Sequence, residues 1–266
     1  MMTSARRLLI ALACLLVAFP YAWVVLSSFK TGDDLNEPSK VVFEPTLDNW
    51  SEIADGGVFQ SAWTSLLVAA VTVGISLVVG TLGAYAISRF RTGGAATRFG
   101  ILLSQLMPPA VLVVPLFLVA FDLNLRDTVI AVIASHLTFV LPVVTWFLIG
   151  FFDAVPKAYE EQAMVDGHGR FGAFRRVVLP QVRGGLVAAG IFAFVLSWND
   201  LFYALILAGG NTTTLPVQIA SYNTFRGVEL GAMSAAILVS VVPVLIVSFF
   251  VQRRLVRGLS GGGLKS

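Results

Sequence analysis

Residues 237–250 read ILVSVVPVLIVSFF. Eleven of these fourteen positions are apolar and none is charged. No period-two alternation runs through them, so they do not describe a strand with one wet face. In hydrocarbon there is no water to satisfy backbone N–H and C=O groups, and within one continuous run only a helix satisfies them. The stretch therefore predicts a helix that crosses a bilayer, and it sits inside a longer apolar segment, 233–251.

Working outward, five more segments read the same way: 8–29, 62–87, 99–121, 129–152 and 184–207. Each is close to the roughly 20 apolar residues that a crossing helix needs. The fold class expected is all-α, a polytopic membrane protein with six transmembrane helices in one transmembrane domain over 1–266. Composition agrees. Of 266 residues, 57% are hydrophobic and 12% charged, against roughly 45–50% and about 25% in soluble domains. One cysteine, Cys14, excludes a disulfide framework within the chain, and two separated histidines, His136 and His168, offer no metal-site spacing. A net charge of +3 suggests no nucleic-acid surface.

Lys and Arg in short loops set the orientation of such a chain. Fourteen of the eighteen fall on one side of the six spans: Arg6, Arg7, Arg89, Arg91, Arg98, Lys157, Arg170, Arg175, Arg176, Arg183, Arg253, Arg254, Arg257 and Lys265. Only Lys30, Lys40, Arg126 and Arg226 fall on the other. Both termini are therefore expected in the cytoplasm, with an outer loop at 30–61 and a second outer connection at 208–232. Arg6 and Arg7 before an apolar stretch resemble a secretion signal, but the stretch runs on to Phe29, too long for a signal core. A retained first span is expected.

The cytoplasmic segment 153–183 reads DAVPKAYEEQAMVDGHGRFGAFRRVVLPQVR. Pro156 suits a first helical turn, where its missing N–H would be unpaired anyway. Lys157 to Val165 are mostly good helix formers. Gly167 and Gly169 bracket His168 and can take positive φ, which ends the helix. A second short helix, about 171–178, is expected to stop before Pro180, since proline restricts the residue ahead of it. Helix, glycine turn and helix lead straight into the fifth span, which makes a lever rather than a tether.

Glu161-Gln162-Ala163, then Asp166-Gly167, then Leu179-Pro180 resembles the EAA loop of ABC-importer permeases, whose common form is E-A-A-x-x-x-G followed by L-P. Here Gln162 replaces the first alanine and His168 stands where alanine is frequent. The likeness covers essentially the whole chain. Pro20-Tyr21-x-Trp23 with Ser27-Ser28-Phe29-Lys30, Thr46-Leu47-Asp48-Asn49-Trp50, Ser197-Trp198-Asn199-Asp200, Thr214-Leu215-Pro216-Val217 and the ending Gln252–Lys265 all resemble carbohydrate permeases of the maltose-type class, and among them the shorter, six-span partner.

That resemblance implies the type I ABC importer (MetI-like) fold. It also implies a complex of two permeases as a heterodimer, two ATP-binding subunits and an extracytoplasmic solute-binding protein, in a bacterial cell membrane. Glu160, Glu161, Ala163, Asp166, Gly167 and His168 would be the residues coupled to the ATPase. ATP and magnesium would belong to the partner, with no cofactor in this chain. Independently, a Walker A loop needs Gly-Lys, and none of Lys30, Lys40, Lys157 and Lys265 follows a glycine. The chain is thus expected to be no enzyme.

Asp200 is the sole acid well inside a span, and intramembrane acids are functional candidates by default. Asn199 beside it could hydrogen-bond sugar hydroxyls. Trp198, Phe202 and Tyr203 flank the pair, and aromatic faces stack on sugar rings. Trp198, Asn199, Asp200 and Tyr203 are therefore the candidate substrate pathway or gate, with helix bracing as the alternative role. Pro108, Pro109 and Pro115 interrupt the third span, Pro142 the fourth and Pro243 the sixth. A lone membrane histidine such as His136 reads as a hydrogen-bonded packing residue. The expected function is a permease subunit of an ATP-driven importer for a sugar or sugar-like solute. The same importer carrying a glycerophosphodiester or polyol is one alternative; an ion-coupled secondary transporter, which would need several buried ionisable groups, is another.

Overall fold

A computed structural model describes residues 4–37, 40–210, 212–225 and 227–262. Asn211, Arg226, Gly263 and Lys265 lie outside the described residues, as do the side chains of Arg253, Arg254 and Arg257. The chain is helical almost throughout: α1 Ser4–Ser27, α2 Gly32–Leu35, α3 Asp48–Asp55, α4 Val58–Phe90, α5 Gly94–Leu106, α6 Pro109–Asp122, α7 Val129–Ala154, α8 Lys157–Val165, α9 Arg170–Gln181, α10 Arg183–Trp198, α11 Phe202–Leu207, α12 Leu215–Ser221 and α13 Leu230–Gly262. A two-residue hairpin, β1 Asn223–Thr224 against β2 Gly227–Val228, pairs Asn223 with Val228 and Thr224 with Gly227.

Four stretches are long and apolar enough to cross a bilayer: Arg6–Ser27, Val58–Phe90, Val129–Ala154 and Leu230–Phe249. Two bent pairs pass the same test jointly: α5 with α6, at 91°, and α9 with α10, at 72°. The third span is thus broken rather than continuous. Met107 is extended (φ −69°, ψ 125°) because a residue before proline avoids the helical region, and Pro109 then opens α6 at its first turn. The fifth span is broken as well, ending at Trp198 and resuming at Phe202.

Packing divides the chain into two compact units. One takes the chain up to Trp63 with Leu215–Pro243; the other takes Thr64–Thr214 and the chain from Val244. In the first, two stretches singled out in sequence meet. Asn49 donates from Nδ2 to the carbonyls of Ser28 (3.1 Å) and Lys30 (2.8 Å), Thr46 N–H donates to Phe29 O (2.9 Å), and the Phe29 and Trp50 rings lie 5.9 Å apart. Lys30 is buried, with Nζ donating to Lys40 O (2.6 Å) and facing the rings of Trp23 (5.1 Å) and Phe43 (5.3 Å). Nearby, the Lys40 ammonium on Asp34, and then the Thr31 hydroxyl, hold the Asp34 carboxyl below its ordinary range.

The second unit holds the main core. Ala84 and Ile87 of α4, Val140, Val144, Leu148 and Phe152 of α7, Phe174 and Val178 of α9 and Ala189 and Ala193 of α10 form one buried cluster. Gly185 is part of this packing, because any Cβ there would run into the ring of Phe151. Phe174 and Val178, from the segment after α8, are thus inserted among side chains of α4, α7 and α10.

Candidate functional site: the α8–α9 lever and a cavity between two broken spans

α8 begins behind Pro156 and ends in a glycine turn whose geometry is complete. Gly167 has φ +87°, its N–H donates to Met164 O (3.1 Å), and the next N–H, of His168, reaches back to Ala163 O (3.0 Å). These are the two bonds of a Schellman motif, which satisfies the last carbonyls of the helix. Arg170 then opens α9. Its middle, Phe174–Val178, is a π turn, and the N–H of Leu179 reaches Phe174 O. The helix continues through Pro180 to Gln181, past the expected stop. A widened turn relieves both penalties of an interior proline, the lost i→i−4 bond and the ring clash with that carbonyl.

The lever has two faces. Glu160 and Ala163 are buried. Glu161, Gln162, Asp166 and Gly167 are exposed, His168 is half-buried, and its Nδ1 lies 3.4 Å from Arg176 Nη1. Apolar side chains accompany the outward face: Val165 is 86% exposed and Phe171 69%, with Tyr159 and Met164 also outside. The sequence-predicted coupling residues are thus divided, with Glu160 and Ala163 facing the body of the protein and Glu161, Asp166 and Gly167 facing away.

The second feature is a cavity of about 570 Å³ where the two broken spans meet. Asn199, Asp200 and Tyr203 line it, together with Ser104, Gln105, Thr138 and Phe139. Trp198 does not line it; that residue is buried and stacks on Phe194, 5.6 Å between rings. Tyr203 is buried too, stacked on Phe139 at 5.4 Å.

Asp200 sits in the break itself. Its Oδ2 accepts the Ala204 N–H (3.1 Å), which caps the first turn of α11, and lies 3.2 Å from Nε2 of the buried His136. Nδ1 of the same ring lies 2.7 Å from Ser197 Oγ. With the proton on Nε2, the imidazole donates to the carboxylate and accepts the Ser197 hydroxyl, so every polar atom of the ring is satisfied. Bracing and cavity lining are therefore both true of Asp200. Across the cavity, Gln105 Nε2 is buried without a hydrogen-bond partner. Sequence reasoning passed over Gln105 and Thr138; their polar side chains inside apolar spans were the available signal. It also passed over Tyr85 and Arg89, which hold Glu160 and had no local signal.

Comparison with known proteins agrees with this architecture. Residues 76–261 match the family described as "Binding-protein-dependent transport system inner membrane component". The diacetylchitobiose uptake system permease protein DasC of Streptomyces coelicolor is 33% identical, aligned over 94% of this chain and 92% of its own length. The trehalose transport system permease protein SugB of Mycobacterium tuberculosis is 33% identical over 92% of each. The sulfoquinovosyl glycerol transport system permease protein SmoH of Agrobacterium fabrum is 34% identical over 96% and 92%. In fold, the chain resembles a subunit of a bacterial ABC transporter involved in import of the acidic polysaccharide alginate, with a TM-score of 0.74, 20% identity and coverage of 95% and 98%.

Proposed function

Since the chain belongs to the family of binding-protein-dependent transport system inner membrane components, we propose that it forms half of the pathway for a carbohydrate or carbohydrate-like solute and takes its drive through α8. It is a membrane permease subunit of an ABC importer without an ATPase site of its own, and it works with other components of such a system. The finer assignment is a second permease, a pair of ATP-binding subunits docked on α8, and a solute-binding protein on the opposite side. Both termini would then be cytoplasmic.

The observation that carries the docking role is the outward face of α8 and of the first turn of α9. Glu161 and Asp166 place carboxylates there, Val165 on α8 and Phe171 on α9 place exposed apolar surface, and the Gly167 turn ends α8 between them. Three of the relatives, DasC, SugB and SmoH, are named for glycan or glycoside solutes, which supports carbohydrate as the solute class. The cavity at Asp200 suits the passage of hydroxyl-rich solutes. Asp200 Oδ2 is taken by His136 and Ala204, and Gln105 Nε2 is a donor with no partner.

Reconstitution in vesicles with the ATP-binding subunits tests the reading. Glu161→Arg and Val165→Asp should abolish ATP-dependent uptake and weaken co-purification of those subunits, with insertion and thermal unfolding unchanged because both side chains are exposed. Uptake that persists in both variants, or uptake without any ATPase, would overturn it.

A further inference from the structure

Glu160 is the one carboxylate of α8 that an outward docking face does not use. Its side chain is turned inward: Oε1 accepts the Tyr85 hydroxyl, and Oε2 lies 3.0 Å from Arg89 Nε in an ion pair whose side chains are 5% and 9% exposed. The same guanidinium donates from Nη2 to Val155 O (2.9 Å), at the entrance to α8. Tyr85 is itself held, 4.5 Å from the Phe174 ring and 5.7 Å from that of Phe152. Tyr85 and Arg89 are four residues apart and share one face at the inner end of α4.

Chain connectivity joins the lever to α7, through Val155 and Pro156, and to α10, through α9. It does not join the lever to α4. A nine-residue helix is too short to persist by itself, so what α8 is fastened to decides what moves with it. A carboxylate withdrawn from water needs both a charge partner and hydrogen bonds to stay there, and α4 supplies both.

We propose that Glu160, Tyr85 and Arg89 form a latch that makes α8 and the second span one mechanical body, so that a push on the lever moves α4 as well as the spans to which it is covalently joined. Glu160 is then a positioning residue and not a docking residue. The inference rests on the reading of α8 as the receiver of the ATPase stroke and adds the element that the stroke reaches.

The test uses the complete importer with its ATPase pair, in a Cys14→Ser background, with spin labels at Val78→Cys on α4 and Lys157→Cys at the start of α8, outside the residues assigned to docking. Both sites are exposed. Pulsed electron–electron resonance should give a 78–157 distance distribution whose centre and width are the same without nucleotide and with ATP and vanadate. Glu160→Ala should broaden it and make it nucleotide-dependent while ATP hydrolysis continues. Arg89→Ala should loosen the pair in the same direction, and the double variant should be no looser than Glu160→Ala alone, because removing Glu160 already cuts every contact that Arg89 makes to it. Glu160→Gln, which keeps the shape and drops the charge, should loosen the pair in the same direction and serves if the alanine variants do not assemble. A distance that moves with nucleotide in the unaltered complex, an unchanged distribution in Glu160→Ala and Glu160→Gln, or strictly additive loosening would each overturn the latch. The docking reading fails on a separate measurement, ATP-binding subunits that co-purify undiminished with Glu161→Arg.

Discussion

Gly167 has φ +87° and no atom within 4 Å of where its Cβ would stand. Neither crowding nor contact accounts for a glycine there, so the backbone does. An L side chain in the left-handed region costs roughly 1–2 kcal/mol, and here that conformation is what lets the N–H groups of Gly167 and His168 close α8. Gly167→Ala should therefore destabilise α8 locally by about 1 kcal/mol, seen as faster amide exchange at residues 163–168, and Gly167→Asn by less. Such a loss is conformational and separable from docking, since Gly167→Asn keeps the turn and adds a side chain to the outward face. The turn was legible in the sequence because its cause is local, two glycines after a run of helix formers. The inward pull on Glu160 was not, for Tyr85 lies 75 positions away in the chain. Nothing beside Glu160 distinguishes it from Glu161.

At the scale of elements, the two broken spans define the cavity, and their breaks have different origins. That between α5 and α6 follows from Pro108 and Pro109, and the sequence announces it. That between α10 and α11 contains neither proline nor glycine; Asn199, Asp200 and Leu201 leave the helix because tertiary partners compensate. Asn199 folds back onto Val195 O (2.8 Å), and Asp200 caps Ala204 while meeting His136. Asp200→Ala should thus remove the cap and strand a buried imidazole, costing about 1–3 kcal/mol and lowering the unfolding temperature in detergent. Asp200→Asn should keep most of that stability, since its carbonyl still accepts both bonds. If uptake falls in the asparagine variant while the melting temperature holds, the cavity-lining role of Asp200 is separated from its bracing role. Trp198, in sequence a neighbour of this group, is removed from it by helix geometry, which turns its ring onto Phe194.

For the molecule as a whole, the sequence places fourteen of the eighteen basic residues on one side of the apolar runs. Within the second unit, the turn after α6 carries Arg126 over the rings of Phe117 and Phe121, and the lever carries Arg170, Arg175 and Arg176. Asn124→Cys and Val165→Cys, each in a Cys14→Ser background, should react with a membrane-impermeant maleimide from opposite sides of the bilayer, the former in intact cells and the latter only in inverted vesicles. Reaction of both from one side would reverse the topology that the basic residues imply. The apolar runs were legible because each obeys a length rule, and among the described residues four of them are helices long enough to cross, or up to six if each bent pair is one span; how they pack was not legible, because interior contacts join residues that no periodicity connects.

One consequence concerns synthesis. Along α1 the most hydrophobic window has none of its residues buried by the rest of the chain, and Leu8, Leu9, Leu15, Leu16 and Phe19 are all more than 60% bare. A leading segment with so little to wait for can finish partitioning into lipid while later parts are still on the ribosome. The core of the second unit, which draws α4, α7, α9 and α10 together, must await residue 193. Birth order and folding order therefore coincide at the amino end and diverge after it.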